Sequence, residues 1–418
     1  MSAELGHYTV NGVVFTNKVS AILHAQLTNS EIQWHFFDEL FNKVDWTNEP
    51  ITPLDELYRL RALQIREEYD YIVLRCSGGA DSNNVLYTFL NNNIHVDEVL
   101  AEAPMSGLNN WDFNTKDTRA VNLASEFKYA QMPLLHEIAT KYPKVKITMR
   151  DAFNDMREFK TDDFVVDCQD IINPFTRVQS KLDELHHLND LAESGKRIAI
   201  VSGTDKPVLV VGPDMNFYNI FSDQPVNVPK PPFRKNNYPN VDRVLFYWTH
   251  QMPEIVVKMC HVVAREILKP ENVRVFNAMQ DLPKRYFTPS TEPDKDKLLD
   301  YILNKNLHGY NKHETNTYQP FSVYERGIVP FIYPNTYRPD IFQADKIDPT
   351  ESFFSSNHEW FRILHKDMKA VQIMESDFRN FYKSLSPKYL NPKKTGFINY
   401  MKRFKLGSVQ QFKKDIHL

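Results

Sequence analysis

Cysteine is nearly absent from this 418-residue chain: Cys76, Cys168 and Cys260 stand far apart and form no Cys-x-x-Cys pair. That argues against a disulfide framework and against a zinc or iron-sulfur site, and it suits a reducing compartment, so a cytoplasmic location is expected. Charge of one sign is missing too. Lys and Arg total 50 against 53 Asp and Glu, a net charge of -3, so no global field favours nucleic acid or an anionic membrane. Any such contact must be a local patch. No stretch approaches the roughly 20 consecutive apolar residues that span a bilayer, and the N-terminus lacks the basic-then-apolar pattern of a signal peptide, so a soluble protein is expected. Repeats and low-complexity tracts are lacking, as is the Gly-Lys-Ser/Thr ending of a Walker phosphate loop.

What is present begins with Asn11-Gly12 between two β-prone triplets, the pattern of a tight hairpin. Thr52-Pro53 followed by Asp55 and Glu56 predicts a helix to about Glu68, with Thr52 as cap and Pro53 in the first turn. The pattern then alternates: strand near 71–76, helix 82–91, strand 96–103, long helix 117–141, strand 145–149, helix 178–193 and a strand at 197–201. Val208 to Val211 reads as a further strand of the same parallel sheet. An α/β fold is expected, with helices flanking that sheet. Five prolines between Asp223 and Pro239 mark a boundary, so three regions are expected: a hairpin and helical segment at 1–50, an α/β domain at 51–224, and a mainly helical substrate or partner region at 225–418.

The stretch Tyr71-Ile72-Val73-Leu74-Arg75-Cys76 runs into Ser77-Gly78-Gly79-Ala80-Asp81-Ser82 and then a helix. Small residues let the backbone approach phosphate oxygens, and the helix start offers unpaired N-H groups and a positive dipole end. A carboxylate beside a phosphate is repelled unless a cation bridges them, so Asp81 is read as a Mg²⁺ ligand; the plainer alternative is a helix cap. Ile200-Val201-Ser202-Gly203-Thr204-Asp205-Lys206 repeats the theme. There Asp205 reads either as a second metal ligand or as a turn residue bonded to its own backbone, and Lys206 either as a charge-offsetting group or as a solvated side chain.

These residues resemble the pyrophosphate loop of the PP-loop ATP pyrophosphatases, the adenine nucleotide alpha hydrolase-like superfamily that includes asparagine, GMP and NAD synthetases. The resemblance implies a HUP-like parallel sheet and ATP bound at its C-terminal edge through Ser77 to Ser82, Ser202, Gly203 and Thr204. It also implies Mg²⁺ on Asp81 and Asp205, with Lys206 sharing the chemistry. Adenine would meet backbone groups at the strand ends, 74–76 and 101–103, including Ala103. The bond broken would join the α- and β-phosphates, leaving AMP on a carboxylate, amide or nucleobase oxygen that an amine or other nucleophile then attacks. The hairpin, both loops and the Trp248 region are also similar to asparagine synthetase-like PP-loop proteins of bacteriophages, which would put the protein in a host cytoplasm. That second likeness carries no acceptor.

Missing motifs narrow the branch. Ser2 stands where glutamine-dependent asparagine synthetases carry a nucleophilic cysteine, and the zinc and paired-cysteine motifs of other branches are absent, so no internal glutaminase is expected. Cys76 reads as a buried thiol, and Glu126 and Lys128 as either ribose contacts or a solvated helix face. Gly212 to Asn219 is a candidate wall of the acceptor pocket, and His261 with Arg265 a candidate acid-group site. From Glu375 to Leu418, ten Lys or Arg and eight aromatics face three acids, the makings of a nucleic-acid contact or of a packed amphipathic tail. Three functions remain: an adenylylating ligase, a nucleobase-modifying relative, and a non-catalytic nucleotide-binding interaction protein.

Overall fold

The computed structural model describes residues 6–103, 127–151, 186–204, 206–223, 238–282, 327–334, 380–381, 383–390 and 398–416. In chain order the elements are β1 (His7–Val10), β2 (Val13–Phe15), α1 (Lys18–Thr28), β3 (Ile32–His35), α2 (Asp38–Phe41), α3 (Leu54–Glu68), β4 (Tyr71–Arg75) and α4 (Ala80–Asn91). There follow β5 (Glu98–Ala103), a π-turn (Phe127–Gln131), α5 (Met132–Lys141), β6 (Lys146–Asp151), α6 (His186–Glu193), β7 (Ile198–Ser202), β8 (Val208–Val211) and β9 (Asn216–Ser222). The last are β10 (Val241–Leu245), α7 (Glu254–Leu268), α8 (Val273–Asp281), β11 (Met401–Ser408) and α9 (Val409–Asp415).

The expected hairpin forms. Val10 faces Val13 across a two-residue turn in which Asn11 and Gly12 both take positive φ, 48° and 79°, the twist that suits paired strands. β3 joins its other side. The helix expected after Thr52 starts one residue later than the pattern predicts: Pro53, with extended backbone, is itself the cap residue, and no side chain closes the turn.

Five parallel strands in the order β10-β7-β4-β5-β6 make the central sheet. The middles of the central strands are apolar because both of their faces are covered. Ile72, Leu74, Val99, Ala101, Ala199 and Val201 share a core with α3, α4 and α7, whereas Val73, Leu100, Ile198, Ile200 and Val241 meet Leu188 and Ala192 of α6 on the other face. This is an α/β fold with a flanked parallel sheet.

Two expectations need correcting. β8 is a strand, but not of this sheet: it pairs antiparallel with β9, and β9 with β11, in a separate three-stranded sheet. An apolar tetrapeptide does not encode which sheet it joins. Gly212 to Asn219, the candidate acceptor wall, spans the β8–β9 turn, which is held by Asp214 accepting from Asn216 and Tyr218. The parallel sheet also crosses the boundary expected at 225, since β10 lies beyond it and pairs with β7. Of the long helix expected at 117–141, the described part is the π-turn followed by α5.

Aromatic rings fasten the β8-β9-β11 sheet to the segments around it. Trp248 stacks on Phe221 at 3.7 Å, and Trp46 on Phe404 at 4.2 Å. Tyr8 and Lys18 both bind the buried Asp223 carboxylate, at 2.7 and 2.8 Å, tying the N-terminal segment to the end of β9. Among the described residues no helix is long and apolar enough to cross a membrane.

Candidate functional site

Strand order decides where a ligand fits. From β4 the chain proceeds to β5 and β6 on one side, whereas β7 and β10 lie on the other, so the C-terminal end of β4 is a topological switch point, where open α/β sheets form their binding crevice. Ser77 to Ser82 leave β4 at that point, and Ser202 to Thr204 leave the adjacent β7.

The loop after β4 is shaped by backbone that side chains would obstruct. Gly78 has φ +84°, and a methyl group on it would lie 2.8 Å from the Gln131 nitrogen. Gln131, buried at the end of the π-turn, donates from Nε2 to the Cys76 carbonyl at 2.9 Å. Asn83 Nδ2 donates to the Gly78 carbonyl at 2.9 Å, and Ser82 Oγ to the Gly79 carbonyl at 3.1 Å, so loop carbonyls are drawn back toward the helix. Gly79 caps α4 without any side-chain bond. The first-turn N-H groups keep their anion-binding character.

The second loop presses against the first. A methyl group on Gly203 would lie 2.8 Å from the Asp81 carbonyl oxygen, so only glycine permits this approach. Ser202 and Thr204 share a hydroxyl hydrogen bond of 2.8 Å. Lys206 sends its ammonium to both Asp81 oxygens, at 3.0 and 2.8 Å; the lysine side chain is 9% exposed and the carboxylate 30%. Lys206 is therefore not a solvated side chain. Ala103 closes β5, paired with Asp151.

Behind Asp81 stand three fully buried phenols that spacing in the sequence does not reveal, because they come from three distant segments. Tyr247 donates to the Asp81 carbonyl at 3.0 Å and accepts from Asn84 Nδ2 at 3.0 Å. Its ring lies 5.7 Å from that of Tyr58 and 5.1 Å from that of Tyr333. Burial pushes all three hydroxyls well up from the ordinary phenol value, and the Asp81 charge adds to the effect. They stay neutral donors.

No protein-family model matches this chain. No curated protein matches it either.

Other expected site residues fall elsewhere. Asp205, Glu126, Cys168 and the side chain of Lys128 lie outside the described residues. Among the described residues no three His, Cys, Asp or Glu side chains converge on a metal position. Cys76 is buried, as read. His261 and Arg265 do not form an open acid-binding pair: the buried His261 ring bonds the Trp46 carbonyl at 3.0 Å, and Arg265 is paired with Glu49. In the basic tail, 401–408 is a strand rather than helix, and Tyr389, Phe404 and Phe412 are buried, which removes those three rings from any base stacking.

Proposed function

We propose that the chain is an ATP- and Mg²⁺-dependent enzyme of the PP-loop ATP pyrophosphatase type, which cleaves ATP to AMP and pyrophosphate and so adenylylates an acceptor for attack by an amine or another nucleophile. The observation that carries this reading is the meeting of two glycine loops at the switch point, with Gly203 against the Asp81 carbonyl and Lys206 on the Asp81 carboxylate. The residues fit a polyphosphate. Gly78 supplies the left-handed backbone that the loop needs, the start of α4 behind Gly79 supplies N-H donors without a side-chain cap, and Lys206 adds a positive charge already oriented and largely buried.

In this reading Asp81, with Asp205, would hold Mg²⁺, which when bound offsets phosphate charge and steadies the leaving pyrophosphate. Asp81 is partly exposed, so it can turn an oxygen toward the crevice while Lys206 keeps the other. Ser77, Ala80, Ser82, Ser202 and Thr204 line the two loops and would orient the chain of phosphates. The backbone at Ala103, closing the neighbouring strand, would meet the adenine. The neutral phenol of Tyr247 fixes the first turn of α4 through the Asp81 carbonyl, so the donors would be in place before substrate arrives.

A second reading has one observation in its favour. Both Asp81 oxygens already accept from Lys206, an arrangement suited to a nucleotide-binding protein without turnover, in which the lysine satisfies the carboxylate. Incubation with α-labelled ATP, Mg²⁺ and a pool of candidate acceptors separates the two: labelled AMP with pyrophosphate is expected, and Asp81→Asn should lower the yield at least a hundredfold. Binding without AMP would favour the second reading. ADP and phosphate, or no ATP binding, would overturn the first.

A further inference from the structure

A pocket of about 160 Å³ lies against the edge strand β10, away from the glycine loops, between α3 and the 248–251 segment. Its floor holds Arg61, which is 2% exposed. The guanidinium meets only neutral oxygens: Nη1 donates to Gln64 Oε1 at 2.8 Å and Gln251 Oε1 at 2.6 Å, and Nη2 to the Leu245 carbonyl at 3.1 Å. Its Nε has no acceptor, and among the described residues no carboxylate pairs with it. Burial lowers its pKa to about 10, so it remains charged at neutral pH. A buried cation with no carboxylate in contact opposes folding, and a bound anion removes that cost.

The surrounding charges set the valence of that anion. Glu68 is engaged by Arg197 at 3.0 Å and Asp242 by the Tyr69 hydroxyl at 3.1 Å, so neither lining carboxylate contacts Arg61. His250 adds nothing at pH 7, since burial and Arg61 hold its pKa down. The single charge of Arg61 suits a monovalent anion. The remaining walls are aromatic: Phe37 stacks on His250 at 4.3 Å, with Trp248 beside them. Phe37 holds φ 46°, a left-handed conformation that an aromatic side chain rarely adopts and that clusters at ligand sites. A cavity of about 150 Å³ holds a benzene ring.

We infer that this pocket is a binding site for a small monocarboxylate with an apolar or aromatic body, whose carboxylate takes the place of the Gln251 amide oxygen on Arg61. Gln251 is exposed and bridges Arg61 to Glu68, so it can swing out without unfolding anything. The site does not depend on ATP chemistry at the glycine loops, and its test reads binding rather than turnover.

Benzoate, its neutral isostere benzamide, and inorganic phosphate are titrated calorimetrically into the full chain. Benzoate should bind one to one and at least tenfold tighter than benzamide, and phosphate should not displace it. Because Arg61→Gln risks misfolding, the decisive variant is Gln251→Glu, which offers Arg61 an internal carboxylate at an exposed position. Benzoate affinity should fall at least tenfold in it, with a far-UV circular dichroism spectrum like that of wild type. Benzoate that fails to bind, binds no better than benzamide, is displaced by phosphate, or binds Gln251→Glu as well as wild type overturns the assignment.

Discussion

The two ends of β4 are built from opposite materials. Where the strand begins, charged side chains do the fastening: Asp97 accepts from the Ile72 N-H at 2.8 Å and pairs with Arg66 at 2.6 Å, while Asp70 accepts from the Arg197 N-H at 2.9 Å. Past its last residue, Arg75, which pairs with Glu102 at 3.0 Å, backbone takes over: Gly78 lies against the Gln131 backbone and Gly203 against that of Asp81, beside the Lys206–Asp81 pair. Charge that clamps a strand start is spent on the fold, whereas N-H groups left open at the other end remain for a ligand. An electrostatically rich neighbourhood is thus not by itself a site, and a sparse one can be.

The comparison breaks first at Gly203. Gly203→Ala puts a methyl group 2.8 Å from the Asp81 carbonyl, so the loops must part; a loss of about 1–3 kcal/mol in urea unfolding and at least a tenfold loss of ATP affinity are expected. Asp97→Asn tests the other end. It removes the ion pair and weakens the bond to Ile72, costing about 1–2 kcal/mol of stability, while ATP affinity should stay within twofold of wild type. A large affinity loss there would mean that the two ends are not independent. The smallest effect is expected of Tyr247→Phe, about 1 kcal/mol from the lost hydroxyl bonds, and it should still weaken ATP binding measurably because the hydroxyl it removes holds the Asp81 carbonyl.

Much of this architecture is written locally. The Asn11-Gly12 turn, the apolar runs of β4 and β7, and the glycine string after β4 each carry their conformation in a few adjacent residues. What is not local is not legible. Val208 to Val211 announces a strand but not its partner, and β11, with lysines and arginine alternating with Phe404 and Leu406, finds β9 across a long stretch of intervening sequence. Arg61 sits in a helical run where charge ordinarily means solvent, and only the packing of β10 and Gln251 over it shows otherwise. Tyr58, Tyr247 and Tyr333 converge from three segments, so no spacing rule anticipates them. Pairing of Lys206 with Asp81 was open in the sequence between charge-offsetting and solvated roles; burial is what separates them.

The pairing of β11 with β9 also sets a timetable. A ribosome that has finished Ser222 must add about 180 further residues before Met401 can form its bond to that strand, roughly 10–40 s at ordinary elongation rates. Throughout that interval β9 has β8 on one side and an open row of N-H and C=O groups on the other. The nascent chain therefore presents a sticky edge for most of the synthesis of its second half, and an early stop anywhere before residue 401 leaves that edge uncovered for good.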